Sequence, residues 1–359
     1  MSRDNTTTHS VLIGIAIAIV IGGAAWVITG SPGAVSRHGV GLSSPGGEPV
    51  FVSVEAGDSA SSIAKRLQST GVIDSAASFE RLAKITGGDR ALAAGEYEFV
   101  PGTSVLDALT RIHSGLTSAR IVTIPEGLRL EEIAALLEKR EVVKASDFLA
   151  AVNALATNGT GLDTDLLKDK PRSATLEGYL FPATYSFKRN IEAPEVALQM
   201  VSSLSKALPP ALRAEARAQG MSLHEVLTLA SIVEREAVIA SDRPLIASVY
   251  RNRLKIDMPL QADPTVQYAV ASRPGSVVEY GYWKNQLTQQ DLQFDSTYNT
   301  YAKIGLPPGP IANPGIDSII AVIRPANTKY LYFVARNDGS HAFAETFEQH
   351  EANVEKYQR

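Results

Sequence analysis

VSVEAGDSASSIAKRLQSTGVI (residues 52–73) laid over VTIPEGLRLEEIAALLEKREVV (residues 122–143) matches at a constant offset of 70, and this internal repeat decides the fold. Val52/Val122 and Val54/Ile124 alternate as on one face of a short strand. Gly57/Gly127 supply a turn. Ile63/Ile133, Ala64/Ala134 and Leu67/Leu137 then have the i, i+1, i+4 spacing of one helix face, so each copy predicts strand, turn, helix. Further along, from about residue 173, longer helical patterns alternate with polar, aromatic loops. Residues 222–237 (SLHEVLTLASIVEREA) open with the capping box Ser222-x-x-Glu225 and predict the clearest helix. Residues 316–324 predict another helix, residues 330–335 (YLYFVA) a strand, and the stretch after Ala344 a final helix. The chain therefore reads as α+β, and 359 residues suit two or three folded units.

Working back to the N-terminus, residues 11–29 (VLIGIAIAIVIGGAAWVIT) carry no charge. As a helix at about 1.5 Å per residue they would span roughly the 30 Å hydrocarbon layer of a bilayer. The run is long for a signal-peptide core and SPGA beyond it is a poor cleavage site, so a single membrane anchor is expected, with residues 1–10 cytoplasmic and the rest outside. Residues 30–49 hold six glycines, three prolines and four serines in twenty positions, too little apolar surface to offset chain entropy, and read as a flexible tether. The net charge of −4 offers no basic excess for phosphates and argues against a nucleic-acid partner. With no cysteine there is no disulfide, thiolate metal site or cysteine nucleophile.

The chemistry-bearing residues lie beyond the repeat. TLEGYLFPATYSF (residues 175–187) sets Glu177 between Leu176 and the aromatic run Tyr179, Phe181, Tyr185 and Phe187. Such surroundings would desolvate the carboxylate and keep it protonated near neutral pH, as a general acid for glycosidic cleavage requires. From the residues alone, a glutamate so placed is more often a capped or salt-bridged structural residue. On the capped helix Glu234 lies eleven residues on from Leu223, on the apolar stripe, where it must be functional or paired with an arginine such as Arg251 or Arg253. QADPTVQYA (residues 261–269) and STYNTYAKIGLPPGPIANPG (residues 296–315) look like cleft walls. Their prolines fix the turns, and Gln261, Asn299, Thr300 and Asn313 offer the donors and acceptors that sugar hydroxyls and acetamido groups need. His341, Glu345 and His350 match no zinc spacing and read as structural or surface residues; no metal or other cofactor is expected.

The first repeat, V-x-V-x-x-G-D-S-x-x-x-I-A, resembles a LysM module, a β-α-α-β unit that binds N-acetylglucosamine-containing glycans. The second copy has Leu128 and Arg129 in place of the Asp-Ser pair. Together LEGYLFPATY, LASIVERE, VYRNRL, LQADPTVQY, YNTY, GLPPGPIANPG, YLYFVA and the ending G-x-H-x-F-x-x-T-x-x-x-H resemble the MltG, or YceG-like, family of endolytic murein transglycosylases. The resemblance implies an anchor (11–29), linker (30–49), LysM-like domain (50–119), second LysM-like repeat or connector (120–170) and α+β catalytic domain (171–359). It places the family's catalytic glutamate on Glu177. Substrate contacts are expected from Tyr185, Glu234, Gln261, Asp263, Thr265, Tyr268, Tyr298, Asn299, Thr300, Tyr301 and Asn313. The implied activity is a carbon–oxygen lyase that cuts the bond between N-acetylmuramic acid and N-acetylglucosamine within peptidoglycan strands, leaving 1,6-anhydro ends. The implied partners are peptidoglycan synthases and penicillin-binding proteins at the cytoplasmic membrane. A non-catalytic glycan-binding scaffold and a hydrolytic muramidase are the alternatives.

Overall fold

The structure is a computed structural model and describes residues 48–87, 92–115, 117 and 119–358. The expected anchor at 11–29 and residues 30–47 of the tether lie outside the described residues. Among the described residues no helix is long and apolar enough to cross a membrane.

The first repeat opens a β-α-α-β unit: β1 (Val50–Val54), α1 (Ala60–Ser69), α2 (Ala76–Thr86) and β2 (Gly95–Phe99), followed by α3 (Val105–His113). Gly57 takes the left-handed φ of 91° that turns the chain out of β1, and Ser59 starts α1 by accepting the Ser62 amide on its hydroxyl. β1 and β2 pair antiparallel with Val52 opposite Tyr97. The inward side chains Val52, Val54, Ile63, Leu67, Phe79 and Tyr97 close a small hydrophobic core belonging to this unit.

The second repeat builds the same outline with a long interruption. β3 (Arg120–Thr123), α4 (Leu130–Lys139) and α5 (Ala145–Asn158) follow the pattern of the first copy, then α6 (Thr164–Leu167) and an extended loop intervene before β4 (Thr184–Phe187). β4 pairs antiparallel with β3, again setting a valine, Val122, opposite a tyrosine, Tyr185. A boundary at 170/171, expected from the change in sequence character, therefore falls inside this unit. The strand that satisfies β3's backbone lies beyond it.

A single hydrophobic core runs from Val122 through α4 and α5 into the helices that follow and ends at Ile323. Those helices are α7 (Ala193–Ala207), α8 (Pro210–Ala218), α9 (Leu223–Glu236), α10 (Arg243–Lys255), α11 (Asp263–Ala271), α12 (Ser276–Tyr280), α13 (Gln289–Leu292) and α14 (Ile316–Ile323). α9 is the axis of the layer. Its Ser222 hydroxyl accepts the Glu225 amide while the Glu225 carboxylate accepts the Ser222 amide, the capping box read in the sequence. Every residue from Leu223 to Val233 except the capping Glu225 is buried, so helices and loops cover α9 on nearly all sides beyond its first turn. The hairpin β5 (Tyr332–Ala335) and β6 (His341–Ala344) and the terminal α15 (Phe347–Gln358) complete an α+β fold.

Candidate active site

Glu177 lies in the loop that interrupts the second repeat. Leu176, Tyr179 and Leu180 around it are fully buried and hold this loop in the core. Gly178 takes a φ of 81°, and a Cβ there would stand 2.4 Å from the Pro310 ring. Only glycine lets the loop press on Pro310 in this turn.

The carboxylate that emerges is 4% exposed. It meets the N-terminus of α4, where both oxygens lie 3.1 Å from the Leu130 amide. Position 129 corresponds to Ser59 of the first copy, but Arg129 makes no side-chain cap to α4; Glu177, from a distant loop, instead accepts the first amide of that helix. The second contact is Asn313, whose Nδ2 donates to Glu177 Oε1 at 2.7 Å. Burial outweighs both donors and lifts the carboxyl to about 8. The nearby charges oppose one another: Glu131 pushes the value up and Arg129 pulls it down. Near neutral pH Glu177 therefore carries a proton.

Aromatic rings stand beside the acid. The Arg129 guanidinium sits 4.0 Å from the centre of the Tyr268 ring, with Tyr282 and Trp283 at 5.3 and 5.6 Å. Tyr298 packs on Tyr268 with ring centres 4.7 Å apart. Trp283 is fixed by its Nε1 donating to Glu132 at 3.0 Å and by Arg235 across its face at 3.9 Å. Burial, then the charge of Glu177, pushes both tyrosine hydroxyls up, so they stay protonated donors.

The residues expected at the substrate divide into groups. Tyr268, Tyr298 and Asn313 gather at Glu177. Asn313, fully buried, acts on the acid and its loop: besides Glu177 it donates to the Leu128 carbonyl at 3.0 Å and accepts the Leu180 amide at 2.9 Å. Gln261, Asp263 and Tyr301 line a separate cleft of about 360 Å³ together with Glu236. Thr265, Asn299 and Thr300 are buried, and their polar atoms hold loops together. The two threonine hydroxyls meet at 2.9 Å, Thr300 Oγ1 also accepts the Ala262 amide, and Asn299 Nδ2 donates to the carbonyls of Leu292 and Phe294. Tyr185 is a core residue of the second unit, stacked on Phe187 with its hydroxyl on the Phe181 carbonyl. Glu234 accepts the Gly315 amide at 3.0 Å and pairs with Arg243 at 3.5 Å. Arg251 and Arg253, its expected partners, point elsewhere, to Gln219 and to the Leu331 and Leu260 carbonyls. His341 bonds Asp242 at 2.9 Å, and among the described residues no three His, Asp or Glu side chains converge as metal ligands.

Sequence reasoning missed Arg129, Trp283 and Glu236. The signal for Arg129 was its place opposite Ser59 in the repeat. For Glu236 it was the spacing of three and four from Val233 and Ile232.

Fold and site together define an α+β protein of two β-α-α-β units and a helical layer, organised around one buried acid. Residues 52–356 match the YceG-like family, and the chain belongs to that family. It is 36% identical over 315 residues to an endolytic murein transglycosylase of Bacillus subtilis, covering 86% of this chain and 84% of the relative. A Streptococcus pneumoniae protein of the same name is 32% identical over 327 residues, which are 86% of this chain but 58% of that longer protein. The crystal structure of a yceG-like protein from Listeria monocytogenes superimposes with a TM-score of 0.56 at 36% identity, covering 85% of this chain and 98% of the other.

Proposed function

We propose that this chain is an endolytic lytic transglycosylase that cleaves the bond between N-acetylmuramic acid and N-acetylglucosamine within peptidoglycan strands. The observation that carries the proposal is the Glu177 carboxyl, buried and still protonated near neutral pH beside an aromatic wall. The names of the Bacillus and Streptococcus relatives support the same reading.

The chemistry follows from one acid that changes role. Glu177 gives its proton to the glycosidic oxygen as the bond to the muramic C1 breaks, and N-acetylglucosamine leaves with a free hydroxyl. The carboxylate then takes the proton from the muramic C6 hydroxyl as that oxygen bonds to C1, closing the 1,6-anhydro ring. Because the nucleophile belongs to the substrate, no second carboxylate and no bound water are needed. Glu234, the candidate for a second carboxylate, is held by Gly315 and Arg243. The rings of Tyr268 and Tyr298 offer faces on which sugars stack.

Residues 11–29 serve, on this reading, as the membrane anchor and residues 30–49 as the tether. The first β-α-α-β unit binds N-acetylglucosamine in the manner of a LysM module, and synthases of the same wall are the protein partners. The decisive variant is Glu177→Gln, which keeps the bond from Leu130 but carries no transferable proton. Cleavage of purified peptidoglycan should fall by about 10²- to 10⁴-fold while the protein stays folded and still binds glycan. Undiminished cleavage by that variant would remove the proposal's foundation.

A further inference from the structure

Arg129 is a buried cation beside the acid to which the two proton transfers give no part. It is 5% exposed, and it directly precedes Leu130, whose amide meets Glu177. A guanidinium has five N–H donors. Among the described residues this one makes a single hydrogen bond, a long one of 3.4 Å from Nη1 to the Tyr282 carbonyl, and its Nε is buried without an acceptor. The Glu131 Oε2 with which Nε pairs is 3.7 Å away, beyond hydrogen-bond length, and that oxygen is itself buried without a donor. Two buried polar atoms left unbonded at this one place call for a reason. What holds the guanidinium is the face of the Tyr268 ring at 4.0 Å, a contact that uses up no donor. The other groups around it are committed. Glu132 accepts the Arg129 backbone amide and the Trp283 indole, each at 3.0 Å, while Arg235 lies on the Trp283 ring and reaches the Gly127 carbonyl at 3.5 Å. The hydroxyls of Tyr268 and Tyr298 keep their protons and bring no charge.

Glu177 has to exist in two charge states. Between giving its proton to the glycosidic oxygen and taking one from the C6 hydroxyl it is a buried carboxylate, and a buried charge is costly unless a partner balances it. We infer that Arg129 is the positioning residue that balances this carboxylate, and that Glu131 holds Arg129 in check while Glu177 is still protonated. A cation alone beside the acid would draw its proton off before substrate arrives; an anion alone would oppose its release. After burial and the Leu130 amide, the charges of Glu131 and Arg129 act on Glu177 in opposite senses, Glu131 raising its proton affinity and Arg129 lowering it. The loose bonding fits the task. A guanidinium resting on a ring face, with one long hydrogen bond and no bond at Nε, shifts its weight from Glu131 toward Glu177 without breaking a strong contact. The inference rests on the acid role proposed for Glu177 and deepens it.

The test is the pH dependence of kcat/KM, which reports groups of the free enzyme, measured with the full chain as release of anhydro ends from purified peptidoglycan. In Arg129→Gln the acid loses its opposing cation, so the alkaline limb should move up by about half a pH unit or more and kcat should fall by about tenfold or more. In Glu131→Gln the limb should move down. Arg129→Lys keeps the charge and should return the limb to its wild-type position. Loss of packing on Tyr268 alone would lower kcat or Tm and leave the limb where it was, so an unmoved limb in Arg129→Gln overturns the inference. Limbs that move in the same direction in Arg129→Gln and Glu131→Gln overturn it too, as does a shift in Arg129→Lys as large as in Arg129→Gln. Should Arg129→Gln fail to fold, Glu131→Gln decides, since that side chain is 41% exposed: a limb that stays or rises contradicts the inference. Failure of the transglycosylase reading looks different, appearing as hydrolytic ends from the wild-type protein or as undiminished cleavage by Glu177→Gln.

Discussion

Asn313 donates from Nδ2 to Glu177 Oε1 at 2.7 Å while its Oδ1 accepts the Leu180 amide at 2.9 Å, so one side chain clamps both the acid and the loop that carries it. The donor favours the ionised carboxylate and holds the value of Glu177 lower than burial alone would set it. Asn313→Ala should lower kcat by about tenfold or more through lost positioning. It should also move the alkaline limb of the pH–rate profile to higher pH, because the acid then keeps its proton longer. A limb that stays in place or moves down would assign Asn313 a different role.

Stability should depend on pH through the same carboxyl. Its value in the folded protein, about 8, lies above the ordinary 4.5. Between these values the folded protein holds a proton that the unfolded chain has released. The contribution is full below about 4.5, declines as pH rises, and is gone above about 8. Glu177→Gln lacks this dependence. In thermal melts the variant's Tm relative to wild type should therefore climb from pH 5 to pH 8 and then level off.

Gly178 is a second point of control. An alanine there must adopt a φ of 81° with its Cβ 2.4 Å from Pro310, so the loop has to move. Gly178→Ala should cost about 2 kcal/mol or more, read as a lowered Tm. Activity should fall further than the lost stability explains, since the displaced residue is the neighbour of the acid. Full activity would mean that the loop tolerates a different path.

Glu234→Gln probes a structural carboxylate. The amide oxygen can still accept the Gly315 amide, and Arg243 keeps its bond to Ser318 Oγ at 3.1 Å. The loss should be about 1–2 kcal/mol in a denaturation curve, short of the cost of stranding a buried ion, with kcat little changed. A collapse in kcat at unaltered stability would instead place Glu234 in the chemistry.

How far the sequence reached depended on how local each signal was. The helix of α9 was legible because Ser222 and Glu225 sit three residues apart, and the protonated state of Glu177 because Leu176 and Tyr179 flank it. The contacts that fix the acid were not legible: Leu130 and Asn313 are 47 and 136 residues away in the chain. The partner of β3 was missed for the same reason, since Thr123 meets Thr184 only after α4, α5 and the acid's loop have been inserted. Glu234 stands out in the sequence because it lies on an apolar stripe, yet beyond Glu225 α9 is covered on nearly every face, and periodicity cannot rank faces that are nearly all covered. The loops at 261–269 and 296–315 are dense in polar groups, which the sequence displays directly. Their division between an acid site, a second cleft and internal bracing depends on side-chain direction, which composition does not carry.

The central claim is that Glu177 serves as the only acid/base while the substrate's own C6 hydroxyl attacks C1. The direct measurement is the mass of muramic ends released from purified peptidoglycan by the wild-type protein in ¹⁸O-labelled water. These ends should be lighter by one water than reducing ends and should carry no label. Full-mass reducing ends containing ¹⁸O would show that water is the nucleophile and contradict the account.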